Sequence, residues 1–189
     1  IEMEERAINY FKQNLPNTSI KQGYLPNNLP QLDYKQDAIF LVDVLEHVKE
    51  HKEALNVLYN LLNKDGYLYI DVPAFQFLWS DNDETAHHFR RYNKKRLVYL
   101  LKQQGFEVKF ASYYTFFLFF PVWILRAISS IFTKEEPVLS LNTSIGSAAS
   151  NKLPSTILKY ICYLEAFLLK YIKLPFGNNL VVIAKKVKD

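Results

Sequence analysis

The feature that most constrains the fold is a strand–helix–strand pattern in residues 38–73. Residues 38–42 (AIFLV) are a continuous apolar run, too short for a typical helix, and such a run is typical of a strand buried on both faces. Residues 44–63 carry leucines at helical spacing, and residues 67–72 form a second apolar run. A unit of this length predicts two parallel, neighbouring strands joined by a helix.

The rest of the chain predicts the same fold class. We expect short or edge strands at 19–25, 106–113 and 180–184, and helices at 93–104 and 154–172. The fold class is therefore α/β, with parallel strands joined by helices.

Composition excludes several classes of protein. A chain of 189 residues that is 49% hydrophobic can bury one sizeable core and is not of the disordered class. The single Cys162 cannot form an intramolecular disulfide, which favours a reducing, cytoplasmic setting. The opening residues lack the basic and apolar regions of a signal peptide. The net charge of +4 is modest, and we predict no nucleic-acid partner.

Candidate functional residues follow the two central strands. Ligands of parallel sheets bind beyond the carboxyl ends of the strands, which here are residues 43–47 and 71–75. The loop after the second strand is the most polar and aromatic part of the chain, with Trp79, Asp81, Asp83, His87, His88, Arg90, Arg91 and Tyr92 within fourteen positions. Such a loop is where a substrate is normally met.

Four segments in this order resemble a known family. FLVDVLEHV, LLNKDGYLYIDVPA, LWSDNDETAHHFRRY and LLKQQGFEV are together similar to the class I S-adenosylmethionine-dependent methyltransferases of the type 11/12-like kind. The LPFG ending extends the resemblance to a bacterial subgroup associated with surface polysaccharides. The resemblance implies S-adenosylmethionine as cofactor. It also implies a Rossmann-like, mostly parallel sheet with an antiparallel last strand, here residues 180–184, and an α-helical insertion before it.

The resemblance also implies where the nucleoside of the cofactor lies. It places Glu2, next to Met3, where a carboxylate accepts hydrogen bonds from both ribose hydroxyls. The alternative is that Glu2 only favours the start of the following helix through the helix dipole. Tyr24 stands where the family often has an acidic residue, so Tyr24 and Leu25 are expected to contact the adenine ring by stacking and apolar burial.

The end of the first central strand completes the implied cofactor site. Asp43 and Val44 are predicted to border the cofactor. The family's first strand and its Gly-rich loop are expected just upstream of Ile1, because the printed sequence contains no G-x-G-x-x-G-like pattern.

Three residues of the long loop are predicted to face the methyl acceptor: His88, Arg91 and Tyr92. His88 is the candidate general base, because imidazole exchanges protons near neutral pH. Arg91, with Arg90, is a candidate fork for a phosphate or carboxylate. The alternative is that this stretch is only a solvated helix start capped by Asn93.

A metal site is the less favoured reading of Asp43, Glu46 and His47. Their spacing puts them on one face if helical, and related families bind a divalent metal with an acidic-x-x-Glu-His pattern. His87 or His88 would then supply a further ligand. Methyltransferases without metal carry the same residue types, so we predict no metal.

Residues 114–132 differ in composition from the rest. The uncharged run at 110–125 has sixteen residues, fewer than the roughly 20 that span a bilayer. The segment is either a buried helical hairpin or a helix lying in a membrane interface. We divide the chain into a methyltransferase core, residues 1–113 and 174–189, and a helical insertion at 114–173 that includes a loop at 135–153.

The sequence therefore predicts methyl transfer from S-adenosylmethionine to an oxygen, less favourably a nitrogen, of a small-molecule, saccharide or lipid-linked acceptor. A cytoplasmic protein is expected, with a peripheral contact to the inner face of the membrane through residues 114–132 as an open possibility. The alternative is an inactive methyltransferase-like domain that acts as a membrane-peripheral binding partner.

Overall fold

The described chain is built on a sheet of four strands. The computed structural model describes residues 1–120, 123–124 and 152–188. The strands are β1 (Gln36–Val42), β2 (Leu62–Pro73), β3 (Phe106–Tyr114) and β4 (Asn179–Lys186), in the spatial order β1-β2-β4-β3. β1 and β2 pair parallel, and β4 pairs antiparallel with both β2 and β3. β1, β2 and β3 therefore run in one direction, and the predicted fold class is confirmed.

Helices connect and flank these strands. They are α1 (Glu5–Asn14), α2 (His51–Leu61), α3 (Asp81–Thr85), α4 (Lys94–Gln103) and α5 (Lys152–Leu168). Short 3₁₀ turns lie at Leu45–His47 and Gln76–Leu78, and residues 116–120 are helical. None of the helices among the described residues is long and apolar enough to cross a bilayer.

The core lies between the sheet and helices α2 and α4. Leu55 and Leu58 of α2 and Leu97 and Leu101 of α4 are buried in one cluster with Ile70 of β2. Burying a leucine side chain fully contributes roughly 1.5–3 kcal/mol. The leucines at helical spacing in the sequence are therefore the ones that hold both helices against the sheet.

The opposite side of β1 is exposed, contrary to the prediction that this strand is buried on both faces. Leu41 is buried, whereas Phe40 and Val42 are 68% and 54% exposed. β1 is an edge strand of the described sheet, and α2 covers only the face that carries Leu41. The Phe40 ring instead packs beside Tyr69, with 5.5 Å between ring centroids.

Three local predictions need correction. The strand expected at 19–25 is reduced to isolated bridges, Glu2 with Gln22 and Tyr24 with Asn28. The helix expected at 44–63 is divided into the 3₁₀ turn at Leu45–His47 and α2. The second strand, expected at 67–72, begins at Leu62 and so includes residues 64–66, where a Cβ on Gly66 would meet the Asn63 carbonyl oxygen at 2.9 Å.

The segment between β3 and β4 contains α5, which was expected at 154–172. The helix begins two residues earlier and ends four residues earlier than predicted. Residues 135–151 of the expected loop, and residues 121–122 and 125–132 of the segment at 114–132, lie outside the described residues, whereas residues 152–153 begin α5. The division into a core and a helical insertion stays a prediction.

Candidate functional site

The carboxyl ends of the three parallel strands meet at one edge of the sheet. In the β1–β2 register Val42 lies opposite Asp71, and the Asp43 amide donates a 3.1 Å hydrogen bond to the Asp71 carbonyl oxygen. At the end of β3, the Tyr114 hydroxyl donates a 2.6 Å hydrogen bond to Asp71 Oδ2. Asp43, Asp71 and Tyr114 therefore form one polar group at this edge.

The backbone is strained at the same edge. A non-glycine residue with positive φ follows each parallel strand: Asp43 (50°) after β1, Phe75 (59°) after β2 and Thr115 (58°) after β3. Left-handed backbone is uncommon for such residues, and its cost is accepted most often at functional sites. His87, in the loop beside this edge, has φ of 57°. Four of the five described non-glycine residues with positive φ thus lie at or beside this edge, and the fifth, Asp65 (65°), lies within β2 at the other end of the sheet. This concentration favours the edge as the candidate site.

Asp71 is a buried carboxyl group with a single side-chain partner. Its Oδ1 is buried and accepts no hydrogen bond. Burial raises the pKa of Asp71, the hydrogen bond from Tyr114 offsets part of that rise, and nearby Asp43 adds to it. Burial and the bond to Asp71 raise the pKa of the Tyr114 hydroxyl as well. Asp71 and Tyr114 therefore form a buried pair at this edge, and the charge of the pair depends on its protonation.

A second network organises the loop after β2. Asp83 is buried and accepts hydrogen bonds of 2.8 Å from both Nε and Nη2 of Arg91. The Nδ1 atom of His88 lies 2.8 Å from Asp83 Oδ1, and the Ser80 amide donates to Oδ2 at 2.9 Å. Burial alone would raise the pKa of Asp83, but the bonds from Arg91 and His88 outweigh it and lower that pKa.

This network orients the His88 ring. Because the carboxylate of Asp83 can only accept, the proton shared with His88 belongs on Nδ1. Nε2 is then the basic nitrogen of the ring. Asp83 thus sets the tautomer that a general base requires.

Glu46, His47 and His88 form a cluster of groups able to bind a metal. One donor atom from each lies within 4.8 Å of the others, and the two imidazole rings meet edge to face with centroids 4.5 Å apart. Glu46 is fully buried, and neither of its carboxylate oxygens has a hydrogen-bond partner. Burial raises the pKa of Glu46 to about 8. The pKa of His47 is lowered, mainly by burial and to a smaller extent by the nearby His88.

The residues predicted to border the cofactor are distributed along the amino-terminal part and β1. Glu2 is half-buried, and its Oε1 accepts hydrogen bonds from the amides of Met3 and Glu4 at 2.8 and 3.0 Å. Both amides precede α1, and Oε2 of Glu2 receives neither of these bonds. The role of Glu2 toward a ribose therefore stays a prediction. Met3 is exposed.

The remaining cofactor candidates lie closer to the core. Leu25 and Val44 are both partly buried and pack against the main cluster. Tyr24 is 48% exposed, so its ring is open to a stacking partner. Asp43 is exposed at the end of β1. Their roles toward a cofactor stay predictions.

The acceptor-side candidates are only partly brought together. His88 and Arg91 share Asp83, so they belong to one network. Tyr92 is instead 1% exposed, and its hydroxyl lies 2.7 Å from Nδ1 of His51 inside the core. This placement differs from the predicted one, because a buried hydroxyl bonded to α2 does not face an acceptor.

Arg90 is also engaged within the chain. Its guanidinium donates to the carbonyl oxygens of Val48 and Lys49 at 2.7 and 3.0 Å. Arg91 likewise donates hydrogen bonds from Nε and Nη2 to Asp83, and from Nη1 to the Ala74 carbonyl oxygen at 3.3 Å. Both guanidinium groups are therefore held by partners within the chain, and the arginine fork for a substrate anion stays a prediction.

Sequence reasoning missed the roles of Asp83 and Tyr114. Asp83 is separated from its partners by five and eight positions in a loop, and Tyr114 lies 43 positions from Asp71. The signal for Tyr114 was its position at the carboxyl end of a parallel strand, which is where polar residues of such sheets converge.

Comparison with known proteins places this geometry in a family. A family model described as a methyltransferase domain matches residues 2–109, more than half of the chain. A search of the curated proteins finds none that matches.

Solved structures share the fold. The chain is similar to a putative methyltransferase from Bacillus halodurans (12% identity, 99% of this chain and 81% of that one, TM-score 0.54). It is also similar to an S-adenosylmethionine-dependent methyltransferase from Mesorhizobium loti (10%, 97% and 77%, TM-score 0.56). A SAM-dependent methyltransferase from Archaeoglobus fulgidus aligns at 17% identity over 82% of this chain, with a TM-score of 0.44. This chain spans 61% of the length of that protein.

Proposed function

This chain belongs to the methyltransferase-domain family, and we propose that it transfers the methyl group of S-adenosylmethionine to an oxygen of its acceptor. The observation that carries the proposal is the edge formed by Asp43, Asp71 and Tyr114. There, three parallel strands end together, each is followed by a residue of positive φ, and an oriented histidine lies alongside. Parallel sheets bind nucleotide-like ligands at this edge.

The cofactor would lie along the β1 side of the edge. Asp43 and Val44 at the end of β1 would border it, with Glu2 and Met3 near the ribose and Tyr24 and Leu25 near the adenine. The exposure of these side chains supports this placement. Tyr24 and Asp43 are exposed, and Leu25 and Val44 are partly buried and pack against the core. An exposed ring beside apolar side chains suits a planar base.

His88 would act as the general base. When bound, S-adenosylmethionine would supply a methyl group on a positively charged sulfur; the methyl carbon would bond to the acceptor oxygen as the carbon–sulfur bond breaks and leaves its electron pair on sulfur. His88 Nε2 would take the proton that the acceptor hydroxyl loses, and Asp83 would stabilise the resulting imidazolium. This favours oxygen over nitrogen, because a hydroxyl needs a base more than a neutral amine does.

Arg91 is then a positioning residue rather than a substrate ligand. Its two bonds to Asp83 fix the carboxylate that orients His88, and its bond to the Ala74 carbonyl oxygen ties the loop to the end of β2. Positioning of this kind contributes to catalysis through orientation of the reacting groups.

The acceptor is proposed to be a small molecule, a saccharide or a lipid-linked saccharide. This part rests on the resemblance of the LPFG ending to the surface-polysaccharide subgroup. The test is transfer of labelled methyl from S-adenosylmethionine to a bacterial lipid and saccharide extract by the full-length protein. We expect labelling that His88→Gln lowers at least 10-fold; labelling that is unaffected by this change would contradict the role of His88. An inactive binding domain is not favoured.

Metal-assisted transfer is a second candidate, favoured by Glu46. A fully buried carboxylate without a hydrogen-bond partner is costly, and a cation held by Glu46, His47 and His88 would satisfy it. Two imidazoles and a carboxylate suit a zinc- or manganese-like divalent ion, which would polarise the acceptor oxygen. The described cluster excludes Asp43, which the sequence had grouped with Glu46 and His47.

Metal binding separates the two candidates. We expect equilibrium dialysis to show one Mn²⁺ or Zn²⁺ per chain if the cluster is a metal site, and binding at least 10-fold weaker in His47→Ala, since one of three ligands is lost. Equal binding by the parent and by this variant would eliminate the metal candidate and leave His88 as a base. His87→Ala is the matched control, because His87 is exposed and lies outside the cluster.

A further inference from the structure

The outer face of α5 is an apolar stripe open to solvent. Tyr160, Tyr163, Leu164 and Phe167 recur at helical spacing and are 68%, 60%, 51% and 54% exposed. Tyr171, just beyond the helix, is 73% exposed and packs its ring against Phe167 at 5.2 Å. An amphipathic helix normally turns such a face inward, yet no described residue covers this stripe.

The direction of the stripe is fixed by Glu165 on the opposite face. Glu165 is 6% exposed, and its carboxylate accepts hydrogen bonds from the backbone amides of Thr115 and, at 3.0 Å, Phe116. These amides begin the helical residues that follow β3. α5 therefore cannot rotate its apolar stripe inward without leaving the carboxylate of Glu165 and both amides unpaired.

Lysines border the stripe. Lys159 and Lys170 are exposed, and the ammonium of Lys159 lies 5.6 Å from the centroid of the Tyr163 ring. Glu165, which is buried, is the only carboxylate in residues 156–173. The exposed surface of this segment thus combines aromatic side chains with positive charge and carries no negative charge.

Further positive charge surrounds a cavity lined by residues of α4 and β3. Lys173 lines a cavity of about 290 Å³ together with Lys94, Lys95 and Lys109. Lys109 also pairs with Glu107 at 2.6 Å. Four lysines around one cavity attract an anion such as a phosphate headgroup.

From this arrangement we propose that the outer face of α5 binds an anionic lipid membrane, lying in its interface. Tyrosine and phenylalanine side chains enter the boundary between headgroups and acyl chains, and lysines contact anionic headgroups. Membrane contact through residues 114–132 was one of the two interpretations that the sequence left open, whereas the main contact proposed here is α5. Exposed side chains of the described part of 114–132, Phe117, Phe120, Trp123 and Ile124, would extend it. Membrane binding does not depend on the proposed methyl transfer.

Co-sedimentation of the full-length protein with vesicles tests the proposal. We expect binding to phosphatidylcholine vesicles containing phosphatidylglycerol and much weaker binding to phosphatidylcholine alone. Leu164→Asp combined with Phe167→Asp should weaken binding to the anionic vesicles at least 10-fold, because the stripe loses its apolar centre. Lys159→Glu combined with Lys170→Glu should weaken binding to the anionic vesicles only.

A matched control uses exposed aromatic residues elsewhere. Tyr10→Asp with Tyr99→Asp, both exposed on other helices, should bind within about twofold of the parent. Should the Leu164 and Phe167 variant unfold by circular dichroism, Tyr163→Ser with Phe167→Ser carries the same test. Failure of the parent to bind anionic vesicles, or equal binding by the stripe and control variants, would overturn the proposal. Conversion of a dimer to a monomer by the stripe variant with vesicle binding intact would assign the face to a second copy instead.

Discussion

Asp43 and Asp71 lie side by side at the carboxyl ends of two parallel strands, joined by a 3.1 Å hydrogen bond from the Asp43 amide to the Asp71 carbonyl oxygen. Asp43 is exposed and has a φ of 50°, whereas Asp71 is buried against the Tyr114 hydroxyl. The exposed Asp43 is therefore open to a ligand, whereas the buried Asp71 is not. This difference agrees with the proposal that the cofactor lies beside Asp43.

Asp83→Asn should destabilise the protein strongly. The substitution removes the charge that balances the largely buried Arg91, and breaking a buried ion pair on one side costs about 3–5 kcal/mol. The measurement is urea unfolding at pH 7. Glu107→Gln is the control, because it removes one partner of an exposed ion pair and should change the free energy of unfolding by less than about 1 kcal/mol. Equal effects of the two changes would contradict the network described around Asp83.

Tyr114→Phe should also destabilise, by about 1–3 kcal/mol, because it leaves both oxygens of the buried Asp71 carboxyl without a side-chain partner. Combining it with Asp71→Val should recover part of that loss, since the orphaned polar group is then gone. Additive losses in the double variant, measured by urea unfolding, would show that the two side chains do not interact.

The pH dependence of stability should report on His51. Burial lowers the pKa of His51 from 6.5 to about 4, so the unfolded chain binds this proton more tightly than the folded chain does. The contribution of neutral His51 to the free energy of unfolding is therefore fully present above about pH 6.5. It is lost as the pH falls toward 4, by at most about 3 kcal/mol.

His51→Asn isolates this contribution, since its amide can still meet the Tyr92 hydroxyl but does not titrate. We expect the fall in the free energy of unfolding between pH 7 and pH 4.5 to be about 2 kcal/mol smaller in this variant than in the parent. The same fall in both proteins would show that His51 is protonated equally in the folded and unfolded chains.

The sequence predicted the fold class and the meeting of Asp43 with Asp71, because two apolar runs separated by a helical pattern leave little choice of topology. It could not predict the burial of Tyr92. A tyrosine in a polar loop has the composition of a site residue, and only tertiary packing brings its hydroxyl to His51.

The same limit applies to partners that are distant in sequence. Asp83 is one of several acidic residues in its loop, and nothing local distinguishes it before Arg91 folds back onto it. Glu165 resembles an ordinary solvent-facing charge on a helix, yet it is buried against the amides of Thr115 and Phe116. Propensity and periodicity describe single elements, whereas these roles arise from contacts between elements.

Calorimetric titration of the full-length protein with S-adenosylhomocysteine, the demethylated product, tests the central claim most directly. The account predicts saturable one-to-one binding, weakened at least 10-fold by Asp43→Ala at the carboxyl end of β1. Asp65→Asn, at the opposite end of the sheet where Asp65 pairs with Lys185, should bind within about twofold of the parent. Absence of binding by the parent, or binding that Asp43→Ala leaves unchanged, would contradict a cofactor site at this edge.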